Sequence, residues 1–419
     1  MLLTILAYAM IIVFMYVVMK KKMSPFTALI IVPLVAVIIV ILTNSANFTA
    51  DKSFVEFLGG DKISHNLTAI GPMVLYGINN TAQTGIMLLF AILYFSLMLD
   101  AGLFDPITEK MIRFAKGDPM KVLIATAIVS AAVSLNGDGT TTTLICCSAF
   151  LPIYKKLNMK IMNLGVLIIL QNTIMNLLPW GGPTARAMSV LNVGSEILGY
   201  LAPGMILSLL YVIFFVARSM GKKERKRLGV TELSDKEITE LITVNDPDTL
   251  KIRRPQNFWF NGILTLILIA WLVAGSFISA IEMPSLLLFA LGTCIALMVN
   301  YPNLKEQSKR ISENAGDAVQ VVILVFAAGI FMGLFQGSGM AGALAQSFTT
   351  IIPKQLAGFW GLVIAFISAP GTFFLSNDGF YYGIMPVLAE AGAKYALVVF
   401  IIFVVTILIV GRLPFYIPQ

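Results

Sequence analysis

The chain has 419 residues, of which 58% are hydrophobic and 12% charged, and a formal net charge of +7. A soluble domain carries about 25% charged residues, whereas here the apolar residues gather in runs long enough to cross a bilayer as helices. That composition excludes a soluble globular protein, and the basic residues lie between apolar runs, where they mark cytoplasmic loops rather than a nucleic-acid surface.

The run Leu2–Met19 has no basic residue ahead of it and Lys20, Lys21 and Lys22 behind it, the reverse of a cleaved signal peptide. It reads as a first transmembrane helix with its N-terminus outside. Phe26–Thr43 returns outward to a polar stretch at Asp51–His65, so residues 1–60 form an N-terminal pair of helices. Gly85–Leu99 then runs inward to Lys110, Arg113, Lys116 and Lys121. The next stretch, Val122–Tyr154, ends at Lys155, Lys156 and Lys160, so both of its ends face the cytoplasm. At its centre stands Asn136-Gly137-Asp138-Gly139, followed by Thr140 to Thr143. Two complete spans would fit the length. A polar tip without an exposed loop favours a re-entrant hairpin over 122–154, because irregular backbone at membrane depth needs protein or a cavity around it.

Ile161–Leu178 leads into Pro179-Trp180-Gly181-Gly182-Pro183-Thr184 and Arg186. Two prolines around two glycines break a helix, which predicts a broken helix over 161–195. Ile197–Ala217 crosses back and closes a first repeat, residues 61–217. The loop Arg218–Arg254 holds ten Lys or Arg, and residues 218–256 read as a cytoplasmic divider between the halves. Anionic lipid could bind there, but ordinary positive-inside charge accounts for it.

The second half, 257–419, repeats the plan in the opposite sense. Phe258–Ser279 and Pro284–Val299 precede Lys305, Lys309 and Arg310, and Ala318–Phe335 runs outward. Leu356–Leu388 then carries Ser376-Asn377-Asp378-Gly379, flanked only by Lys354 and Lys394. This predicts a hairpin over 356–392 that opens from the outside. The expected fold is an all-α polytopic membrane protein with about 11 membrane elements, in two inverted repeats with re-entrant hairpins and broken helices.

A carboxylate at bilayer depth costs roughly 2.5–3.5 kcal/mol on insertion scales, so Asp138 and Asp378 each need a partner or a task. Each suits a helix N-cap, and a half-helix N-terminus is itself an anion site; both descriptions are expected to hold. Gly137, Gly139 and Gly379 let the chain turn and let a ligand approach the backbone. Thr140–Thr143 offer hydroxyls, although threonines also mend broken membrane helices. Arg186 either neutralises a carboxylate substrate or pairs with a protein aspartate. Cys146, Cys147 and Cys294 have no metal-ligand spacing.

Enzyme chemistry is poorly supplied. His65, the only histidine, lies in an outside stretch, and neither a His-Glu-x-x-His motif nor a Gly-x-Ser-x-Gly elbow occurs. Gly337-Ser338-Gly339-Met340-Ala341-Gly342 matches a dinucleotide fingerprint only formally, since it follows a membrane run rather than a strand. Polar hairpin tips also build channel filters, but one broken site per half, with carboxylates able to hold cations or protons, favours alternating access.

Several long motifs carry a resemblance. Gly102-Leu103-Phe104-Asp105-Pro106, Lys116-Gly117-Asp118-Pro119, the Asn-Gly-Asp-Gly-Thr-Thr-Thr run and the segment from Asn176 to Arg186 resemble the CitMHS family of citrate–metal:proton symporters. The segment Ser376 to Glu390 does so too, and the likeness extends over residues 2–395. The resemblance implies the ion transporter superfamily, with scaffold and transport domains, a homodimer and an elevator-type movement in a plasma membrane. It implies citrate complexed with a divalent cation such as Mg²⁺ or Ca²⁺ as substrate, moved with protons, and no permanently bound cofactor. A related carboxylate is the alternative cargo.

The same resemblance assigns substrate contacts to Asn136, Gly137, Asp138, Gly139, Thr140 and Thr141. The helix break adds Gly181, Gly182, Thr184 and Arg186, and the second cluster adds Ser376, Asn377, Asp378 and Gly379. Asp138 and Asp378 would touch the metal. Two departures from the family pattern stand out. Asn136 occupies a position that is usually Asp, so one acidic metal ligand is missing. The chain also ends Gly411-Arg-Leu-Pro-Phe-Tyr-Ile-Pro-Gln419, where relatives carry a second broken helix and a final span. A truncated, inactive member or a divergent one is the expectation from that ending.

Overall fold

The computed structural model describes residues 2–351, apart from 50, 61–65, 192, 196, 231–232, 243–246, 276–277, 279–280 and 282, together with 364, 368, 379–386 and 388–389. His65, Ser376, Asn377 and Asp378 lie outside the described residues, as does most of the hairpin expected over 356–392.

Every regular element among the described residues is helical, and none is a strand. In chain order, α1 is Leu2–Met19, α2 Pro25–Leu42, α3 Lys52–Phe57, α4 Ile70–Asp100, α5 Asp105–Ala115 and α6 Pro119–Val133. Then follow α7 Gly139–Lys156, α8 Ile161–Met175, α9 Gly182–Leu191, α10 Ile197–Tyr211, α11 Arg218–Leu228 and α12 Asp235–Ile242. The remainder are α13 Pro247–Ile252, α14 Phe258–Gly275, α15 Ser285–Asn300, α16 Leu304–Gly337 and α17 Met340–Ile351, with a π-helical segment at Gly379–Ile384. Among the described residues, seven helical stretches are long and apolar enough to cross a membrane, and α8 and α15 are shorter apolar helices.

Three elements run further than apolar length alone predicts. Helix α4 begins at Ile70 rather than near Gly85, because Asn79, Asn80 and Gln83 stay within the helix and Thr81 returns its hydroxyl to the Gly77 carbonyl at 3.2 Å. Helix α16 starts in the charged segment at Leu304, fourteen residues before the apolar run at Ala318. The basic divider is not a loop either. The π-helical segment Val212–Ala217 carries α10 straight into α11, and α12 and α13 follow.

The chain forms two compact units. One comprises residues 1–88, 183–194 and 319–419; the other comprises 89–182 and 195–318. In the first, α1 packs on α2 and α17, and Phe14 meets Phe331 at 5.6 Å between ring centroids. There the N-terminal half of α4 and the C-terminal half of α16 approach at backbone distance through glycines. A Cβ on Gly77 would lie 2.8 Å from the Gly333 nitrogen, and one on Gly329 would lie 2.7 Å from the Gly77 oxygen.

In the second unit, α6 packs against α5, α7, α8 and α11. Asp118 caps α6 by accepting from Met120 N at 3.0 Å and faces the Arg225 guanidinium at 3.4 Å. Gly221 of α11 permits the contact, since its Cβ would sit 2.7 Å from Met120 Cα. Leu233 and Ile238 are buried in a small recess beside Ile112, Phe150 and Ile153, and Lys156 donates to Glu237 at 2.6 Å. That bond, with two more from Ser234, holds the Glu237 carboxyl at about 2, against an ordinary 4.5. A depressed carboxylate stabilises above its ordinary value and loses that contribution only as pH falls toward the folded one. The strap therefore does not titrate near neutrality.

A buried amide pair joins α14 to α15. Asn300 Nδ2 donates to Asn261 Oδ1 at 2.8 Å, and Asn261 Nδ2 donates back at 2.9 Å. Both side chains are buried. Asn300→Ala strands the Asn261 amide, at a cost of about 1–3 kcal/mol. A double-mutant cycle by thermal melting in detergent should show that Asn261→Ala plus Asn300→Ala costs clearly less than the two single changes summed.

Candidate substrate-binding site

The polar interruption at the centre of 122–154 is a structured turn between two helices. Helix α6 ends at Val133, Ser134–Asn136 make a 3₁₀ turn, and Gly137 takes a left-handed φ of +76°. Asp138 is extended and caps α7. Its Oδ2 accepts from Thr141 N at 2.6 Å and its Oδ1 from Thr140 N at 3.3 Å. Such a cap contributes about 1 kcal/mol. Asn136 Oδ1 accepts from Asp138 N at 2.8 Å and from the Thr142 hydroxyl at 3.3 Å. The turn is closed by its own side chains.

The second interruption braces the first. Helix α8 ends at Met175, and Trp180, almost wholly buried, donates its indole N–H to the Leu135 carbonyl at 2.7 Å. The indole stacks on Phe95 at 5.3 Å and meets Phe289 edge-on at 5.0 Å. Glycines make the fit possible. A Cβ on Gly137 would lie 2.8 Å from the Trp180 oxygen, one on Gly139 2.8 Å from Asn172 Nδ2, and one on Gly181 2.5 Å from the Asn176 oxygen.

Asn136, Asp138 and Thr141 open onto a cavity of about 240 Å³. Its opposite wall is made by Ser96 and Asp100 of α4, Asn314 and Asp317 of α16, and Arg253. Asp100 accepts from Asn314 Nδ2 at 2.8 Å and faces Arg310 at 3.4 Å. Arg253 pairs with Asp105 at 2.8 Å and donates to the Leu99 carbonyl at 2.9 Å. The cavity thus presents three carboxylates, two hydroxyls, two amides and one guanidinium. Hard-cation acceptors and carboxylate donors sit in the same space.

The residues expected to bind substrate divide accordingly. Asn136, Gly137, Asp138, Gly139, Thr140, Thr141, Gly181 and Gly182 all belong to the second unit, and the first turn and the Trp180–Gly181 break touch. Of the threonines, Thr141 lines the cavity, Thr142 is fully buried with its hydroxyl on the Asp138 carbonyl, and Thr143 bonds back to the Gly139 carbonyl. Thr184 and Arg186 stand on α9 within the first unit, Thr184 fully buried and Arg186 accepting at its carbonyl from Ser189 at 2.8 Å. Gly379 opens a π-helical segment whose Phe380, Tyr381 and Tyr382 are buried. Asp378 lies outside the described residues.

Five cavity residues were not singled out by motif reading: Ser96, Asp100, Arg253, Asn314 and Asp317. A signal existed. Asp100 stands at the end of one apolar run and Asp317 at the start of another, where carboxylates are costly.

The chain matches the sequence model of a family described as CitMHS, citrate transporter, over residues 14–411. It is 43% identical over 396 residues to a protein of Bacillus subtilis (strain 168) named "Citrate transporter", covering 94% of this chain and 84% of that relative. It is 39% identical over 401 residues to that organism's "Uncharacterized transporter YraO", with the same two coverages. It is 38% identical over 397 residues to a third protein, named "Mg(2+)/citrate complex secondary transporter", again with 94% and 84% covered. The chain belongs to the CitMHS citrate transporter family, and it is a multi-pass membrane transporter rather than an enzyme.

Proposed function

We propose that this protein is a secondary active transporter that takes up citrate complexed with a divalent cation, coupled to protons, by elevator-type alternating access. The observation that carries this reading is the cavity beneath the α6–α7 turn, where cation acceptors and carboxylate donors share about 240 Å³. A chelated citrate shows both faces at once, a hard cation and free carboxylate oxygens. One relative is named for Mg²⁺–citrate, in keeping with that cargo.

In this reading Asp138, already holding two backbone N–H groups, turns its remaining lone pairs to the cation, and Thr141 adds a hydroxyl. Gly139, Thr140, Gly181 and Gly182 complete the first half-site within that unit, and Thr184 and Arg186 are proposed as further substrate contacts. Ser376, Asn377, Asp378 and Gly379 form its counterpart in an inverted second repeat. The protein works as a homodimer in the plasma membrane, and the cation travels as cargo rather than as a resident cofactor.

Cells expressing the chain should accumulate labelled citrate above an empty-vector control, more with Mg²⁺ or Ca²⁺ than with excess chelator. Loss of uptake on collapsing the proton gradient would support coupling. No uptake of citrate under any of these conditions would transfer the reading to another carboxylate. Counterflow of labelled substrate from preloaded vesicles separates a carrier from a channel, because a channel gives none.

A further inference from the structure

Arg310 is buried beside the cavity without lining it, and its guanidinium is divided between two carboxylates. Nη1 faces Asp100 Oδ2 at 3.4 Å, and Nη2 makes a much closer contact with Glu313 Oε2. Nε is buried without a hydrogen-bond partner among the described residues. Charge-assisted N–H···O bonds usually lie at about 2.7–2.9 Å. Arg310 is therefore held firmly by Glu313 and only loosely by Asp100.

The two carboxylates differ in place. Asp100 lines the same cavity as Asp138, and 24% of its side chain is exposed. Its Oδ2 takes both Asn314 Nδ2, at 2.8 Å, and Arg310. Glu313 lines a neighbouring cavity together with Arg310, and Ile252 lines both cavities. Arg310, Glu313 and Asn314 stand at i, i+3 and i+4 on α16 and so share one face. One guanidinium thus has a carboxylate of the substrate cavity on one side and a carboxylate outside it on the other. Charge at membrane depth is costly unless it is neutralised. In the loaded carrier the divalent cation of the cargo can neutralise Asp100, and in the empty one Arg310 is the cation at hand.

We propose that Arg310 is a tethered counter-ion, which neutralises Asp100 while the cavity is empty and yields that carboxylate to the divalent cation of the cargo on loading, keeping Glu313 throughout. The inference rests on the metal–citrate reading above, and it makes Asp100 a cation contact across the cavity from Asp138. Arg310 itself touches no cargo and acts through Asp100 as a positioning residue. Its effect falls on the return of the empty carrier, a step that net uptake needs and that exchange of cargo for cargo does not.

The test compares net uptake and counterflow of labelled citrate, with excess Mg²⁺, in vesicles holding the purified full-length protein. Arg310→Gln should lower the half-saturating concentration in counterflow about fivefold or more, because the cargo cation no longer displaces a guanidinium. Its net uptake should fall about tenfold or more while its maximal counterflow stays within about twofold, since only net uptake returns the carrier empty. Adding Asp100→Asn to Arg310→Gln should abolish the gain in affinity. Glu313→Gln, at a half-exposed side chain, leaves Arg310 wholly to Asp100 and should raise the half-saturating concentration severalfold. Lys309→Gln, beside Glu313 at 3.7 Å, should leave it within about twofold. General damage to α16 would weaken affinity in every variant, whereas displacement moves Arg310→Gln and Glu313→Gln in opposite directions. Unchanged or poorer affinity in folded Arg310→Gln, or net uptake and counterflow falling together, overturns the inference and leaves citrate transport standing. Where Arg310→Gln does not fold, unchanged or improved affinity in Glu313→Gln overturns it equally. Neither uptake nor counterflow of citrate by the unmodified chain overturns the metal–citrate reading, and this inference with it.

Discussion

Asp138→Asn is expected to lower citrate uptake at least 100-fold while leaving the protein folded. Asparagine is as good an N-cap as aspartate, and the Thr140 and Thr141 N–H groups still find an acceptor oxygen, so the melt should move by no more than about 1 kcal/mol implies. The negative charge is what disappears. If that charge meets the cation of the cargo, a hundredfold loss corresponds to roughly 2.8 kcal/mol at 1.4 kcal/mol per tenfold, within reach of one direct carboxylate contact. Asp138→Ala removes the cap as well and should lower both uptake and stability. Uptake should be measured across pH, because a coupling role for Asp138 predicts that the residual activity of Asp138→Asn no longer follows pH. Unchanged uptake with an unchanged pH profile would remove Asp138 from the mechanism.

The contrast between these two substitutions depends on the turn, and much of the turn was readable in the sequence. Asn136-Gly137-Asp138-Gly139 inside an apolar run is a local signal. A left-handed glycine followed by an extended cap residue is what those residue types do wherever they occur. The break at Pro179–Thr184 was readable for the same reason. What the sequence did not reveal is that Trp180 reaches the Leu135 carbonyl, because no local rule pairs an indole with a carbonyl 45 residues away. The opposite wall of the cavity was hidden in the same manner. Asp100, Arg253 and Asn314 come from three separate segments, and only packing brings them to Asp138. Helix lengths were misjudged where amphipathic or polar turns continued an apolar helix, as at Asn79–Asn80 and before Ala318. Hydropathy reports which residues face lipid, whereas the backbone hydrogen bonds of a helix continue for as long as its carbonyls and N–H groups find partners.

Gly333→Leu should leave little folded protein in the membrane, and even Gly333→Ala should be damaging. Helices in lipid gain nothing from burying apolar surface against one another, so their association depends on close packing, and small residues let backbones approach. Gly329, Gly333 and Gly337 recur every fourth residue along α16 and so share one face. Across from that face stand Met73, Gly77 and Thr81 of α4, also four apart. A Cβ on Gly333 would lie 2.8 Å from the Gly77 nitrogen and closer still to the Met73 carbonyl oxygen. These neighbours are backbone atoms, with no rotamer to yield, so the helices must separate. Overpacking usually costs 1–3 kcal/mol where side chains can move; here about 3 kcal/mol or more is expected, against a typical total stability of about 5–15 kcal/mol. No compensating change exists across the contact, because nothing is smaller than Gly77. The internal control is Gly262 of α14, around which a Cβ would meet nothing within 4 Å. Gly262→Ala should be neutral or stabilising by about 0.5–1 kcal/mol, the ordinary gain of alanine over glycine in a helix. Yield and melting temperature of detergent-purified protein compare the two directly, and equal yields for Gly333→Ala and Gly262→Ala would mean that the α4–α16 contact does not hold the fold together.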